Sequence, residues 1–82
     1  MSDPLIRLLE EMVAQQRARL MEMGRRLVPT LTPEDLLQPN DYPELEFHPL
    51  FRYEEGVLEG LQAALAAIRT ESMLSSRAGS IT

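Results

Sequence analysis

The sequence offers few side chains that could catalyse a reaction or hold a metal ion. It contains one histidine, His48, and no cysteine. A cysteine-based zinc site is therefore excluded, and a base or ligand at His48 would need a carboxylate beside it in the fold. Glu44 precedes His48 by four residues, but Pro49 makes a continuous helix through both unfavourable. We expect His48 instead to cap the start of a helix.

Glu54 is the second candidate, because it falls between two apolar layers of a predicted helix and can face its core side. A carboxylate in that position needs an arginine or a metal ion to stay charged. Arg17 or Arg19 is the simpler partner. The alternative is a ligand- or metal-binding helical bundle that combines Glu54 and His48 with carboxylates from a second chain. The Glu-x-x-His motif of such bundles is missing, so we predict no metal and no cofactor.

The charge distribution limits the classes of partner. The chain has 82 residues, a net charge of −5, and arginine at all eight basic positions. An acidic chain repels phosphate groups, so nucleic-acid and anionic-membrane binding are disfavoured. Residues 1–27 have a balance of +1 and residues 28–82 a balance of −6, which suits packing of one half on the other. We find no secretory signal, membrane span or phosphate-binding loop, and expect a cytoplasmic protein that is not an enzyme.

The first predicted helix covers about residues 4–27. Ser2 or Asp3 can cap it, and Pro4 suits its first position. Its apolar residues recur every three or four positions, as in a helix that lies on another helix. Gln16 fills the one polar position in this seam. The seam consists of Ile6, Leu9, Val13, Leu20, Met23 and Leu27.

Residues 28–48 form a connection that contains four prolines, which exclude one continuous helix. Thr32 is positioned to cap a short helix, and Pro43 can begin one more helical turn. The apolar content predicts that the connection is packed, with Leu36 and Leu37 facing inward. We expect its acidic residues to pair with Arg17, Arg19, Arg25 and Arg26. The apolar residues are Val28, Leu31, Leu36, Leu37, Tyr42, Leu45 and Phe47.

The second predicted helix covers about residues 49–70 and carries two apolar surfaces. The large apolar residues form one stripe: Leu50, Phe51, Val57, Leu58, Leu61, Leu65 and Ile68. Small residues form a row beside it: Gly56, Gly60, Ala63 and Ala67. A glycine inside a helix costs about 1 kcal/mol relative to alanine, and close helix packing can offset that cost. Two such surfaces are more than a two-helix hairpin can cover.

Together these patterns predict an all-α protein. The two long amphipathic helices form an antiparallel hairpin over residues 1–70, and residues 71–82 form a mobile tail. Two hairpins are expected to dimerise as a four-helix bundle. The predicted function is a non-catalytic interaction or oligomerisation module, an adaptor or assembly factor, whose partner is a second copy or another protein. The predicted interaction residues are Ile6, Leu9, Val13, Leu20, Phe51, Gly56, Leu58, Gly60, Leu61, Ala63, Leu65, Ala67 and Ile68.

Overall fold

A computed structural model shows two long helices side by side, joined by a short, partly helical connection. It describes the backbone of residues 3–38 and 41–81 and the side chains of residues 3–38 and 41–74. Helix α1 spans Pro4–Leu27, a 3-10 turn spans Asp35–Leu37, helix α2 spans Pro43–Glu46 and helix α3 spans Pro49–Ile81. The described residues contain helices and turns but no strand. The predicted all-α hairpin is therefore confirmed.

The start and end of α1 follow the local sequence signals. The Asp3 carboxylate accepts a hydrogen bond of 2.8 Å from the backbone amide of Leu5, and Pro4 occupies the first helical position. At the other end the Val28 amide donates to the Gly24 carbonyl at 2.7 Å. The predicted limits of this helix are confirmed, with Asp3 as its cap, whereas Ser2 lies outside the described residues.

Helix α3 begins where the sequence predicts and ends later. The Phe51 amide donates to Nδ1 of His48 at 3.3 Å, so His48 caps the helix as expected. The predicted end near residue 70 is wrong, because α3 continues to Ile81. No proline follows Pro49, so nothing in the sequence forces the helix to stop at residue 70. The mobility expected of residues 71–82 stays a prediction; Thr82 and the side chains from residue 75 onward lie outside the described part.

The core lies between α1 and α3 and is closed at one end by the connection. Leu31 and Leu45 from the connection are fully buried, as the packed connection predicts. Leu37 is 81% exposed, so the prediction that it packs inward is wrong. Phe47 is 77% exposed as well. Leu36 is half-buried against the core. The buried apolar residues are Val13, Leu20, Leu31, Leu45, Phe51, Leu58 and Leu65.

Two hydrogen bonds between Thr32 and Asp35 fix the path of the connection. The Thr32 amide donates to the Asp35 carboxylate at 2.9 Å, and the Asp35 amide donates to the Thr32 hydroxyl at 3.4 Å. The hydrogen bonds from the backbone and then the side chain of Thr32 hold the pKa of Asp35 below its usual 3.8. Burial, and then the charge of Asp35, raise the pKa of the Tyr42 hydroxyl above its usual 10.0. Thr32 and Asp35 thus form the predicted cap of the short turn.

Gly24 allows the connection to approach α1 closely. A Cβ at this position would collide with the side chain of Leu31 and contact the ring of Phe51. Leu31 is fully buried, so it has little room to move away. The glycine in the last turn of α1 therefore serves packing rather than a turn, a role that its sequence position alone does not indicate.

Candidate interaction surfaces

A buried polar contact joins the two long helices. The side-chain amide of Gln16 donates to the backbone carbonyl of Glu54 at 2.9 Å and to its carboxylate at 2.6 Å. Gln16 is buried, and the Glu54 side chain is 15% exposed. Arg19 lies 3.8 Å from the other carboxylate oxygen. Glu54 thus faces the core side as predicted. Arg19 is its arginine partner, whereas Arg17 lies on the opposite side of α1 in a groove described below.

His48 and Glu54 are not brought together as a ligand pair. The imidazole of His48 caps α3, and Glu54 is engaged by Gln16. Within the described residues, no group of three or more histidine and carboxylate side chains is arranged to hold a metal ion. What the structure builds around Glu54 is a hydrogen-bonded contact between helices.

The remaining arginines of α1 do not pair with the acidic connection as expected. Arg25 donates to the backbone carbonyl of Leu31 at 3.2 Å, and Arg26 pairs with Glu22 one turn earlier at 2.7 Å. The predicted pairing with the acidic connection is therefore wrong for these arginines and for Arg19. Arg25 contacts the connection through a backbone carbonyl, Arg26 pairs within α1 and Arg19 pairs with α3.

The structure divides the predicted interaction residues into two groups. The large apolar residues lie inside the hairpin or at its edge: Ile6, Leu9, Val13, Leu20, Phe51, Leu58, Leu61, Leu65 and Ile68. The small residues are exposed: Gly56, Gly60, Ala63 and Ala67. A Cβ added at Gly56 or Gly60 would meet nothing within 4 Å. The second group is therefore the more accessible of the two to another molecule.

Two of these exposed small residues, Gly60 and Ala67, belong to a wider apolar surface on the side of the hairpin marked by Arg19 and Glu54. Leu8 and Met12 lie about three and two turns before Arg19, on its side of α1. Val57 and Ala64 lie close to the side of α3 that carries Glu54. Tyr53, Gly60 and Ala67 follow one another two turns apart, on the side of these residues that is further from Glu54. We call the whole surface the open face; it consists of Leu5, Leu8, Met12, Tyr53, Val57, Gly60, Ala64 and Ala67.

The open face combines large exposed side chains with small ones. Leu8 is 52% exposed and Tyr53 is 67% exposed, and both lie beside the core rather than in it. The part of the open face on α3, from Tyr53 to Ala67, contains no charged residue. Of its members only Gly60 and Ala67 were among the predicted interaction residues. The spacing of Tyr53 from Gly60 could have identified Tyr53. The other residues that were missed are Leu5, Leu8, Met12, Val57 and Ala64.

The opposite side of the hairpin carries a groove of about 970 Å³. It runs between α1, α3 and the 3-10 turn, and its edges are charged. Arg52 and Glu55 form one edge, with a 2.9 Å ion pair between them. The apolar floor includes Ala14, Ala18, Met21, Leu36 and Leu58.

Comparison with protein-family models, curated proteins and solved structures finds no match. Function is therefore inferred from the two sides of the hairpin. They differ in kind: the open face is apolar, while the groove is concave and edged by charges of both signs. Among the helices of the described part, none is long and apolar enough to cross a membrane.

Proposed function

We propose that this chain is a non-catalytic protein–protein association module whose open face packs against another protein chain and completes a four-helix bundle. The exposure of Leu5, Leu8, Met12 and Tyr53 beside an exposed glycine–alanine column supports this proposal most directly. Contiguous exposed apolar residues on a small protein commonly mark an interaction site.

The size of the exposed surface supports the same proposal. The accessible surface is 6141 Å², whereas a compact chain of this mass exposes roughly 5,000 Å². The radius of gyration is 16.4 Å, compared with roughly 12 Å for a compact domain of this length. The excess area is roughly 1,100 Å². Part of it lies where α3 extends past α1, and the open face contributes along the length of both helices.

The small core gives a thermodynamic reason to associate. A single hydrophobic core in a chain of this length supplies only about 3–5 kcal/mol, and disulfides, metals or oligomerisation usually supply the rest. Within the part of the chain that the structure describes, the buried apolar cluster has seven members, and the sequence has no cysteine. Covering the open face would add apolar burial at about 25 cal/mol per Å².

The acidic charge does not oppose association through the open face. Glu54, at the margin of the open face, is neutralised by Arg19. Glu55 and Glu59 line the groove on the other side of the hairpin. A partner on the open face is therefore kept away from most of the negative charge, since exposed charges more than about 8–10 Å apart are largely screened at physiological salt.

Sedimentation of the full chain over a wide concentration range tests the proposal. We expect the mass to rise with concentration. Gly60→Leu, which fills the exposed column, should weaken association about tenfold or more, equivalent to roughly 1.4 kcal/mol, while circular dichroism shows unchanged helix content. Ala66→Leu is the matched control, because Ala66 is exposed on a different side of α3. A folded protomer that remains monomeric at every concentration would overturn the proposal.

A further inference from the structure

We infer that the chain that covers the open face is a second copy of this one, with the two α3 helices antiparallel and crossing at Gly60. This inference rests on the proposed function and specifies its partner. In such an arrangement a two-fold axis passes beside Gly60, and the same surface of each protomer meets its counterpart. Residues equally far before and after Gly60 then lie opposite each other.

The order of side-chain sizes along α3 fits this arrangement. Tyr53 precedes Gly60 by seven residues and Ala67 follows it by seven. Val57 precedes it by three residues and Ala64 follows it by four, on the same side of the helix. Within the open face of α3 the large residues thus come before the glycine and the small ones after it. An antiparallel copy places each large residue over a small one, so the surface is complementary to itself.

Exposure shows that these positions are available. Tyr53 is 67% exposed, and Gly60, Ala64 and Ala67 are exposed as well. The absence of a side chain at Gly60 lets two helix backbones approach at the crossing point. The Tyr53 ring can then lie in the shallow depression left by Ala64 and Ala67 of the second copy. Large side chains in such pockets contribute most of the affinity at protein interfaces.

The open face runs along both long helices, so a second copy that covers it meets both of them. An interface of standard size covers about 800 Å² on each partner, and the excess surface of roughly 1,100 Å² includes the part of α3 that extends past α1 as well as the open face. The same two-fold axis brings the two α1 helices together, so Leu8 and Met12 are covered at the flank of the contact. The part of the open face on α1 and the part on α3 are thereby both buried by one symmetric partner.

The charge on the surface also suits a second copy. On α3, none of the residues that would meet across the axis between Tyr53 and Ala67 is charged. Arg19 and Glu54 are already paired within the protomer, at 3.8 Å, and require no charged group from the partner. A partner surface therefore needs apolar residues and a helix backbone that can approach Gly60 closely. The open face itself provides both.

A single cysteine tests the crossing point, because the chain has none of its own. We expect Gly60→Cys to give a disulfide-linked dimer under mild oxidation, since a disulfide requires Cα atoms roughly 4.4–6.8 Å apart. Ala66→Cys, on another side of α3, should remain unlinked in denaturing electrophoresis. Equal linkage of the two variants would show random collision and overturn the inference.

Exchanging the side-chain sizes at positions 53 and 67 tests the order of large and small residues along α3. Tyr53→Ala should leave a hole and Ala67→Tyr a clash, and each should weaken dimerisation about tenfold or more in sedimentation. The double variant should recover most of the affinity, because each new tyrosine again faces an alanine. Helix content by circular dichroism checks that each variant folds.

The outcomes separate this inference from the proposed function. A wild-type dimer that neither links through Gly60→Cys nor recovers in the size exchange would overturn the antiparallel arrangement and leave the association module standing. A folded chain that stays monomeric would overturn both. Linkage at position 60 together with recovery in the double variant supports the two-fold arrangement.

Discussion

Gln16 of α1 donates its side-chain amide both to the backbone carbonyl and to the carboxylate of Glu54 on α3, at 2.9 and 2.6 Å. This is a buried polar contact between the two long helices, and it lies among apolar layers. It satisfies a carboxylate that is only 15% exposed, and it aligns α1 with α3 at one position along their length. A shift of one helix by a turn would separate the two groups, so the contact favours a single alignment.

Gln16→Ala should therefore lower the free energy of unfolding by about 1–3 kcal/mol, because it leaves the Glu54 carboxylate without its closest donor. For a chain of this length each kcal/mol corresponds to a fall in Tm of about 4–8 °C. Chemical denaturation at neutral pH measures the change. Gln15→Ala is the control, since Gln15 is exposed and its loss should alter stability by less than about 0.5 kcal/mol. Equal effects of the two variants would contradict a specific role for Gln16.

The elements of the fold could be predicted from the sequence because their signals are local. Asp3 and Pro4 at the start of α1, and His48 and Pro49 at the start of α3, act on amides within a few residues. The seam of α1 follows from helical periodicity alone. Even the contact of Gln16 with Glu54 has a sequence signal, since both are polar residues in apolar stripes.

The remaining features could not be predicted because they depend on how distant segments meet. Leu37 and Leu45 are both leucines in the connection, yet one is 81% exposed and the other is fully buried. No local pattern distinguishes them. Likewise, Gly24 matters only because Leu31 packs on it, and the groove exists only because the 3-10 turn lies beside α1 and α3.

Gly24→Ala should destabilise the protein although alanine favours helix. The gain in helix propensity is about 1 kcal/mol, whereas forcing a methyl group against buried Leu31 costs about 1–3 kcal/mol. We expect a net loss of about 1 kcal/mol in thermal or chemical unfolding. Gly56→Ala, at an open position, is the matched control and should raise stability by about 0.5–1 kcal/mol in dilute solution. If both substitutions were stabilising, the Leu31 side chain would have to move away from position 24 at little cost in stability.

The cap at Asp35 should make the connection sensitive to acid. The pKa of Asp35 is lower in the folded chain than its usual 3.8, because the ionised carboxylate accepts the Thr32 amide. Its contribution to stability is therefore present above pH 3.8 and is lost as the pH falls through the folded-state pKa. Amide exchange or chemical shift at Thr32 should follow this loss. Asp35→Asn should remove this part of the pH dependence; an unchanged acid transition in that variant would contradict the assignment.

Leu45 should be the residue of the connection that matters most for stability. Its side chain is fully buried against the core, so Leu45→Ala removes apolar contacts and leaves a cavity. Such changes cost about 2–5 kcal/mol, a large part of the stability of a chain this small. Phe47→Ala provides the comparison, because Phe47 lies two residues later and is 77% exposed. Removing its larger ring should change the free energy of unfolding, measured in urea, by less than about 0.5 kcal/mol. If instead the phenylalanine proved the more costly of the two, its ring would have to be covered in solution, and the connection would join the surfaces that contact a partner.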